Sequence, residues 1–315
     1  MKLWVMFIAL AMIWSSSFLL IKVGLAPEGT DPAAIGKFDS VSLATTRLTV
    51  AALCYVTFVL ATRRKFPRNA KTWLYLFIAG LTNNALPFML ITWGEKSIDS
   101  GLAGVLNGTT PLFSLVMAHL ALGDDRISLG KIFGIIGGFT GVVLLATRST
   151  DTANQANALA GQLAVVVASM CYAFATVFMR RNLRGLDPYV TGASSISMGA
   201  LILIVISLLT VHPLPNFTAL QPEALRAVLA LGFFNTFIAY LLYFTILPTW
   251  GASRTTMVTY VMPPMSVLLG VVFAQELVDW KLLAGAALIL GSVVAANLWK
   301  TPLTLRRKEV VAAEA

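Results

Sequence analysis

The sequence predicts an all-α integral membrane protein of about ten transmembrane helices arranged as two inverted five-helix repeats. Three observations predict it: the composition, the spacing of breaks between apolar runs, and an internal repeat whose unit holds an odd number of helices. Of the 315 residues, 57% are hydrophobic and 12% are charged, and the mean hydropathy is +0.81. Such a chain uses lipid as its solvent. A bilayer core of about 30 Å takes about 20 apolar helical residues per crossing. Cutting the chain where charge, Pro or Gly interrupts the apolar runs gives ten spans: 3–22, 41–61, 73–93, 102–121, 129–147, 161–179, 188–210, 226–247, 254–274 and 282–299. The longest interruptions, 24–40, 148–160 and 211–225, are too short for soluble domains, so the chemistry is expected in or beside the bilayer.

The first span follows Lys2, but its apolar run is long for a signal peptide and no small-x-small cleavage site precedes Lys22, so it reads as a helix. Cys54 and Cys171 both fall inside apolar runs and read as small core residues rather than a disulfide or metal pair.

The formal charge of +9 would suggest nucleic acid in a soluble protein. Here it fixes orientation, and no nucleic-acid partner is expected. With the N-terminus inside, fifteen of the 23 basic residues fall on the inner side, among them Arg63, Arg64, Lys65, Arg68 and Lys71 and the basic tail 301–315. Six fall outside: Lys22, Lys37, Lys96, Arg148, Arg226 and Lys281. Arg47 and Arg254 lie within or at the edge of spans. The bias predicts a multi-pass protein of the cytoplasmic (inner) membrane with both termini cytoplasmic.

Shifting the chain against itself by 152 positions aligns spans three to five with spans eight to ten without a gap. Gly80 then faces Gly232, Asn83 faces Asn235, Pro111 faces Pro263, Ser114 faces Ser266, and Asp124 falls on Glu276. The shared residues are unusual ones for a span, a mid-helix Asn and a mid-helix Pro. The unit is five helices, 1–150 and 151–300, so the second copy enters the membrane with opposite orientation. Two similar inverted halves can exchange conformations of nearly equal free energy, which suits a transporter by alternating access.

In hydrocarbon an unpaired amide is costly, so polar residues at mid-span should face other helices or a water-filled cavity. Trp14 with Phe18, Asn84 with Phe88, Asn107 with Pro111, and Tyr260 with Pro264 are i,i+4 pairs that can line one helix face. Together with Asn83, Tyr172, Asn235 and Tyr240 they form the candidate substrate-binding set, a central cavity with amide, hydroxyl and aromatic walls. Asn83 and Asn235 lead it because they occupy equivalent deep positions. Pro111 and Pro263 remove a backbone donor and are candidate hinges or substrate contacts. Gly134, Gly137, Gly138 and Gly141 have small-xxx-small spacing, which allows close helix packing.

Arg47 is the strong charge well inside a span, about two turns from its outer end. It is a candidate for substrate binding or gating, or for an outer-side charge pair with Glu95 or Asp99. All fourteen acidic residues fall outside the apolar runs or at their ends, so no buried carboxylate presents itself as an ion site. Glu95 and Asp99 come nearest, and the coupling ion stays open. There is no G-x-x-x-x-G-K-[ST] phosphate loop, no cluster of metal-ligand spacing around His119 or His212, and no nucleophile motif. Neither a cofactor nor catalysis is expected. The partners are a small-molecule substrate and the lipid bilayer, and a polytopic enzyme is the rival reading from another class.

Ile13 to Phe18 (IWSSSF), Asn83 to Phe88 (NNALPF), Ser100 to Phe113 (SGLAGVLNGTTPLF) and Ala121 to Leu129 (ALGDDRISL) carry a likeness over essentially the whole chain. In order, spacing and doubled layout the chain resembles the EamA-type branch of the drug/metabolite transporter superfamily. The resemblance implies ten helices in two inverted repeats, cytoplasmic termini, and alternating access around a central cavity. It implies a secondary transporter, mostly an exporter of amino acids, related metabolites or toxic compounds, with an importer or exchanger as the alternative. It assigns no substrate residue.

Overall fold

Each apolar run becomes a helix because lipid leaves the backbone no partner but itself. In the computed structural model, which describes residues 2–121, 129–148, 155–211, 215–251, 255 and 257–298, the helices are α1 (Lys2–Gly24), α2 (Ser40–Ala61), α3 (Ala70–Gly94), α4 (Ser100–Ala121), α5 (Leu129–Ala146), α6 (Gln155–Asn182), α7 (Pro188–Thr210), α8 (Pro222–Trp250), α9 (Val258–Ala274) and α10 (Trp280–Leu298). Seven of these, α1 to α4 and α6 to α8, are long and apolar enough to cross a membrane; the remaining three contribute the shorter apolar helices Lys131–Ala146, Val258–Ala274 and Trp280–Ala296. Asp124, His212, Arg254 and the tail 301–315 lie outside the described residues. Among those residues the only extended pairing is an isolated bridge between Leu25 and Phe38.

Local chemistry sets the ends. Asp39 accepts from the Val41 and Ser42 N–H groups at the start of α2, Asn69 accepts from Lys71 N at the start of α3, and Asp187 accepts from Tyr189 and Val190 N–H at the start of α7. Pro188 and Pro222 sit where a helix needs no donor. Large apolar side chains such as Leu53, Leu60, Leu201, Val205, Leu209 and Phe273 are exposed, as a lipid-facing surface requires.

Contacts sort the helix ends into two sets. At the Lys22 end, Lys22 Nζ donates to the Glu95 carbonyl at 2.6 Å and Thr92 Oγ1 donates to the Ser40 carbonyl at 3.2 Å. Arg148, buried after α5, donates to Asp99 at 3.0 Å, to Asp279 at 2.9 Å and to the Leu277 carbonyl at 2.8 Å. At the opposite end Trp4 meets Trp250 with ring centroids 4.7 Å apart, and Arg64 pairs with Asp187 while lying over the Tyr189 ring. Consecutive helices therefore alternate in direction. The α5 glycines pack as their spacing predicted: a Cβ at Gly134 would lie 2.7 Å from the Ser292 carbonyl, and one at Gly141 3.0 Å from the Gly285 carbonyl of α10.

Two features depart from the sequence reading. Helices α3 and α8 each carry a π-helical turn, Leu81–Ala85 and Phe233–Ile238, at equivalent places in the 152-residue register. The proline pair is unlike. Helix α4 is interrupted at Gly108 and Thr109 just before Pro111, which has no N–H to continue the ladder, whereas α9 runs unbroken through Pro263 and Pro264. A Cβ at Gly108 would lie 2.8 Å from Pro263 Cγ, so the break in one helix seats the proline of the other.

Candidate functional site

The π turn in α8 builds the centre of the molecule. A π turn widens the helix and displaces its carbonyls, which is why such turns recur at functional sites. Thr236 Oγ1 donates to the Leu231 carbonyl at 2.9 Å and accepts from Arg47 Nε at 3.1 Å. Arg47 is 6% exposed, and its guanidinium carbon sits 4.0 Å from the centroid of the Phe88 ring on α3, an arrangement that offsets part of the cost of a buried cation. Tyr172 of α6 and Tyr240 of α8 lie within its electrostatic reach.

The charge pair expected between Arg47 and Glu95 or Asp99 is not made. Asp99 is committed to Arg148, and Arg47 has no carboxylate within 4 Å among the described residues. The expectation that no carboxylate would be buried is also corrected. Glu95 has no exposed surface, and neither carboxyl oxygen has a hydrogen-bond partner. Being at a helix end made it look solvated, but Lys22 of α1 bonds its carbonyl and the adjoining Gly94 packs against Gly161 of α6.

The amides behave differently in the two π turns. Asn83 Nδ2 donates to the Tyr240 hydroxyl at 3.1 Å, reaching across to α8. Asn235 Nδ2 donates to the Ile13 carbonyl and to Ser16 Oγ at 3.0 Å, both on α1. Trp14 packs against Tyr240 and Tyr243, with centroids 6.0 and 5.7 Å apart. Trp14, Asn83, Asn235 and Tyr240 thus meet in one cluster, and Arg47, Phe88 and Tyr172 form its charged flank.

Other predicted residues stand apart. Phe18 is buried in the hydrophobic core with Leu102, Val105 and Met262. Asn84 is fully buried with both amide atoms unpartnered, its Cβ against Gly199 of α7. Asn107 closes the first part of α4, 3.5 Å from Ser169 Oγ. Tyr260 is half-buried near the start of α9, one turn before Pro263 and Pro264. A groove of about 450 Å³ between α4 and α6, walled by Met117, Leu120, Phe174 and Arg181, contains none of the predicted residues. Its wall is largely apolar and it lies at the end opposite Lys22, so it reads as a helix-end cleft.

The sequence reading missed Thr236, Lys22 and Glu276. Thr236 sits beside the singled-out Asn235 and one register step from Asn84, so the repeat itself could have drawn it in.

The sequence profile of the EamA-like transporter family matches residues 2–147 and 159–298. The chain belongs to the EamA-like transporter family. The uncharacterized transporter YoaV of Bacillus subtilis is 24% identical over 283 residues, covering 90% of this chain and 92% of that protein. An uncharacterized transporter of Archaeoglobus fulgidus is 25% identical over 301 residues, covering 92% and 96%. A protein of Streptantibioticus cattleyicolor named a probable terminal-alkyne amino-acid exporter is 25% identical over 286 residues, covering 90% and 89%. One solved crystal structure matches with a TM-score of 0.63 at 21% identity, covering 94% of this chain and 96% of the other, a likeness of fold. This EamA-like chain is a multi-pass membrane transporter, built around a buried cation, an aromatic cluster and two π turns.

Proposed function

We propose that this EamA-like transporter exports amino acids or closely related metabolites across the cytoplasmic membrane by alternating access. In this reading ten spans form two inverted five-helix repeats, 1–150 and 151–300, with both termini cytoplasmic, so the Lys22 end is the outer one. The basic residues concentrated on the Lys2 side favour that orientation, and the paired π turns favour the inverted repeat.

Arg47 carries the substrate assignment. A guanidinium held at mid-bundle by a hydroxyl and an aromatic face, without a carboxylate of its own, is suited to receive a carboxylate from a ligand by paired N–H···O bonds. Trp14, Tyr172 and Tyr240 supply the apolar walls that a hydrophobic side chain would meet, and Asn83 the amide that orients it. The exporter description of the Streptantibioticus relative points the same way.

Cells expressing the protein and loaded with amino acids through dipeptides provide the test. Faster depletion of a subset of intracellular amino acids than in cells expressing R47A is the expected result. Equal retention in both, across apolar and aromatic amino acids, would overturn the reading.

A further inference from the structure

Glu95 stands one residue past Gly94, where α3 ends, and it is enclosed from every side. From α1 comes Lys22, whose ammonium bonds the Glu95 carbonyl rather than its carboxylate. From α2 comes Arg47, whose Nε is engaged by Thr236. From the turn after α9 comes Glu276, whose two oxygens accept from Ser100 N at 2.7 Å, Ser100 Oγ at 2.6 Å and Gly101 N at 2.9 Å. Helix α6 presses Gly161 against Gly94 and brings the polar but uncharged Gln162 to this region. In the chain, Lys96 and Asp99 flank it, and Asp99 belongs to Arg148.

The two carboxyl groups at this end are therefore treated in opposite ways. Glu276 is satisfied by donors from Ser100 and Gly101 at a helix start, where the dipole also favours a negative charge. Glu95 has no donor at all. A buried carboxyl without a hydrogen bond is stable neutral and costly ionised. Burial pushes the Glu95 carboxyl well above the usual carboxylate range; Lys22 opposes that, Glu276 adds to it, and Arg47 opposes it.

We propose that Glu95 is a proton-binding site that controls the Lys22 end of the transporter, holding a proton while the helix ends are closed as seen here and releasing it when they part. On release the carboxyl O–H bond breaks and the proton passes to water; Lys22 and Arg47 then face the carboxylate that remains. The sign follows from linkage: the closed arrangement binds the proton more tightly, so low pH favours closure and rising pH favours opening. Under the orientation proposed above, a proton taken up from an acidic exterior closes the outer end.

The inference rests on the transport reading for its labels of outer and inner, but its test needs no substrate. Asn157 Nδ2 donates to Glu28 Oε1 at 2.9 Å across this end, tying the start of α6 to the loop after α1. Spin labels at E28C and N157C, in the full chain with C54S and C171S, report that separation in lipid vesicles from about pH 5 to about pH 9. The ratio of the closed to the open population, read from the two label distances, is expected to fall at least about tenfold over this range. E95Q should stay closed throughout. K22M removes the opposing cation and should move the midpoint to higher pH, which keeps the test decisive if E95Q folds poorly. A ratio independent of pH in the unsubstituted chain, the same response in E95Q, or an unmoved midpoint in K22M would overturn the proposal. A pH-dependent separation together with no amino-acid export would instead overturn the substrate reading and leave Glu95 supported.

Discussion

Gly80 brings α3 against α7 and Gly232 brings α8 against α2 through the same kind of approach. A Cβ at Gly80 would lie 2.7 Å from the Ser195 carbonyl and 2.7 Å from Met198 Cβ; one at Gly232 would lie 2.8 Å from the Arg47 carbonyl and 2.6 Å from Val50 Cβ. The residues whose carbonyls take part correspond, yet their side chains do not. Ser195 turns back to bond the Gly192 carbonyl of its own helix at 3.2 Å. Arg47 instead reaches out of its helix to Thr236 and Phe88. A common scaffold of glycine contacts and π turns thus carries a short, self-satisfied side chain in one half and a buried cation in the other. The proposed substrate chemistry lies where the two corresponding contacts differ.

That contrast can be broken from either side. The largest effect is expected from R47A, with export efficiency falling about a hundredfold, the scale of roughly 3 kcal/mol for losing one member of a buried charge pair. R47K should retain part of the activity, because an ammonium keeps the charge without the planar fork. Transport rates at several substrate concentrations, with folding checked by size-exclusion chromatography, separate the two variants. A smaller effect is expected from N235A, whose lost bonds to Ile13 and Ser16 should lower thermal stability by about 1 kcal/mol. N83A, with one bond to a tyrosine hydroxyl, should leave the unfolding temperature nearly unchanged while altering transport kinetics. Unaltered kinetics in both amide variants would remove them from the site. The smallest effect is expected from S195A, within about 0.5 kcal/mol in stability and without change in transport, since its hydroxyl bonds only its own helix.

Much of the fold was legible in the sequence because lipid demands an apolar run wherever a helix crosses it. The predicted apolar runs coincide with described helices to within a few residues at most ends, with α6 and α8 extending further, and seven of those helices are long and apolar enough to cross a membrane. The π turns were not legible as such, although Asn83 and Asn235 marked their place. A π turn depends on one extra residue accommodated within a continuous apolar run, and hydropathy is blind to it. The candidate cluster was legible in part. Trp14, Asn83, Asn235 and Tyr240 meet, whereas Phe18 is absorbed by the core, because period alone cannot separate a cavity wall from a helix contact. Glu95 was misjudged because the residues brought against it and its neighbour Gly94, Lys22 and Gly161 of α6, are distant in sequence.

The most direct test of the substrate assignment is competition. In cells shown to export L-phenylalanine or L-leucine through this protein, the free acid and the corresponding amide are offered at equal concentration inside the cell, and their inhibition of labelled amino-acid efflux is compared. If Arg47 receives the substrate carboxylate, the acid competes and the amide does so at least about tenfold less well. Equal competition by acid and amide would show that the carboxylate is not recognised, and would remove Arg47 from the substrate site.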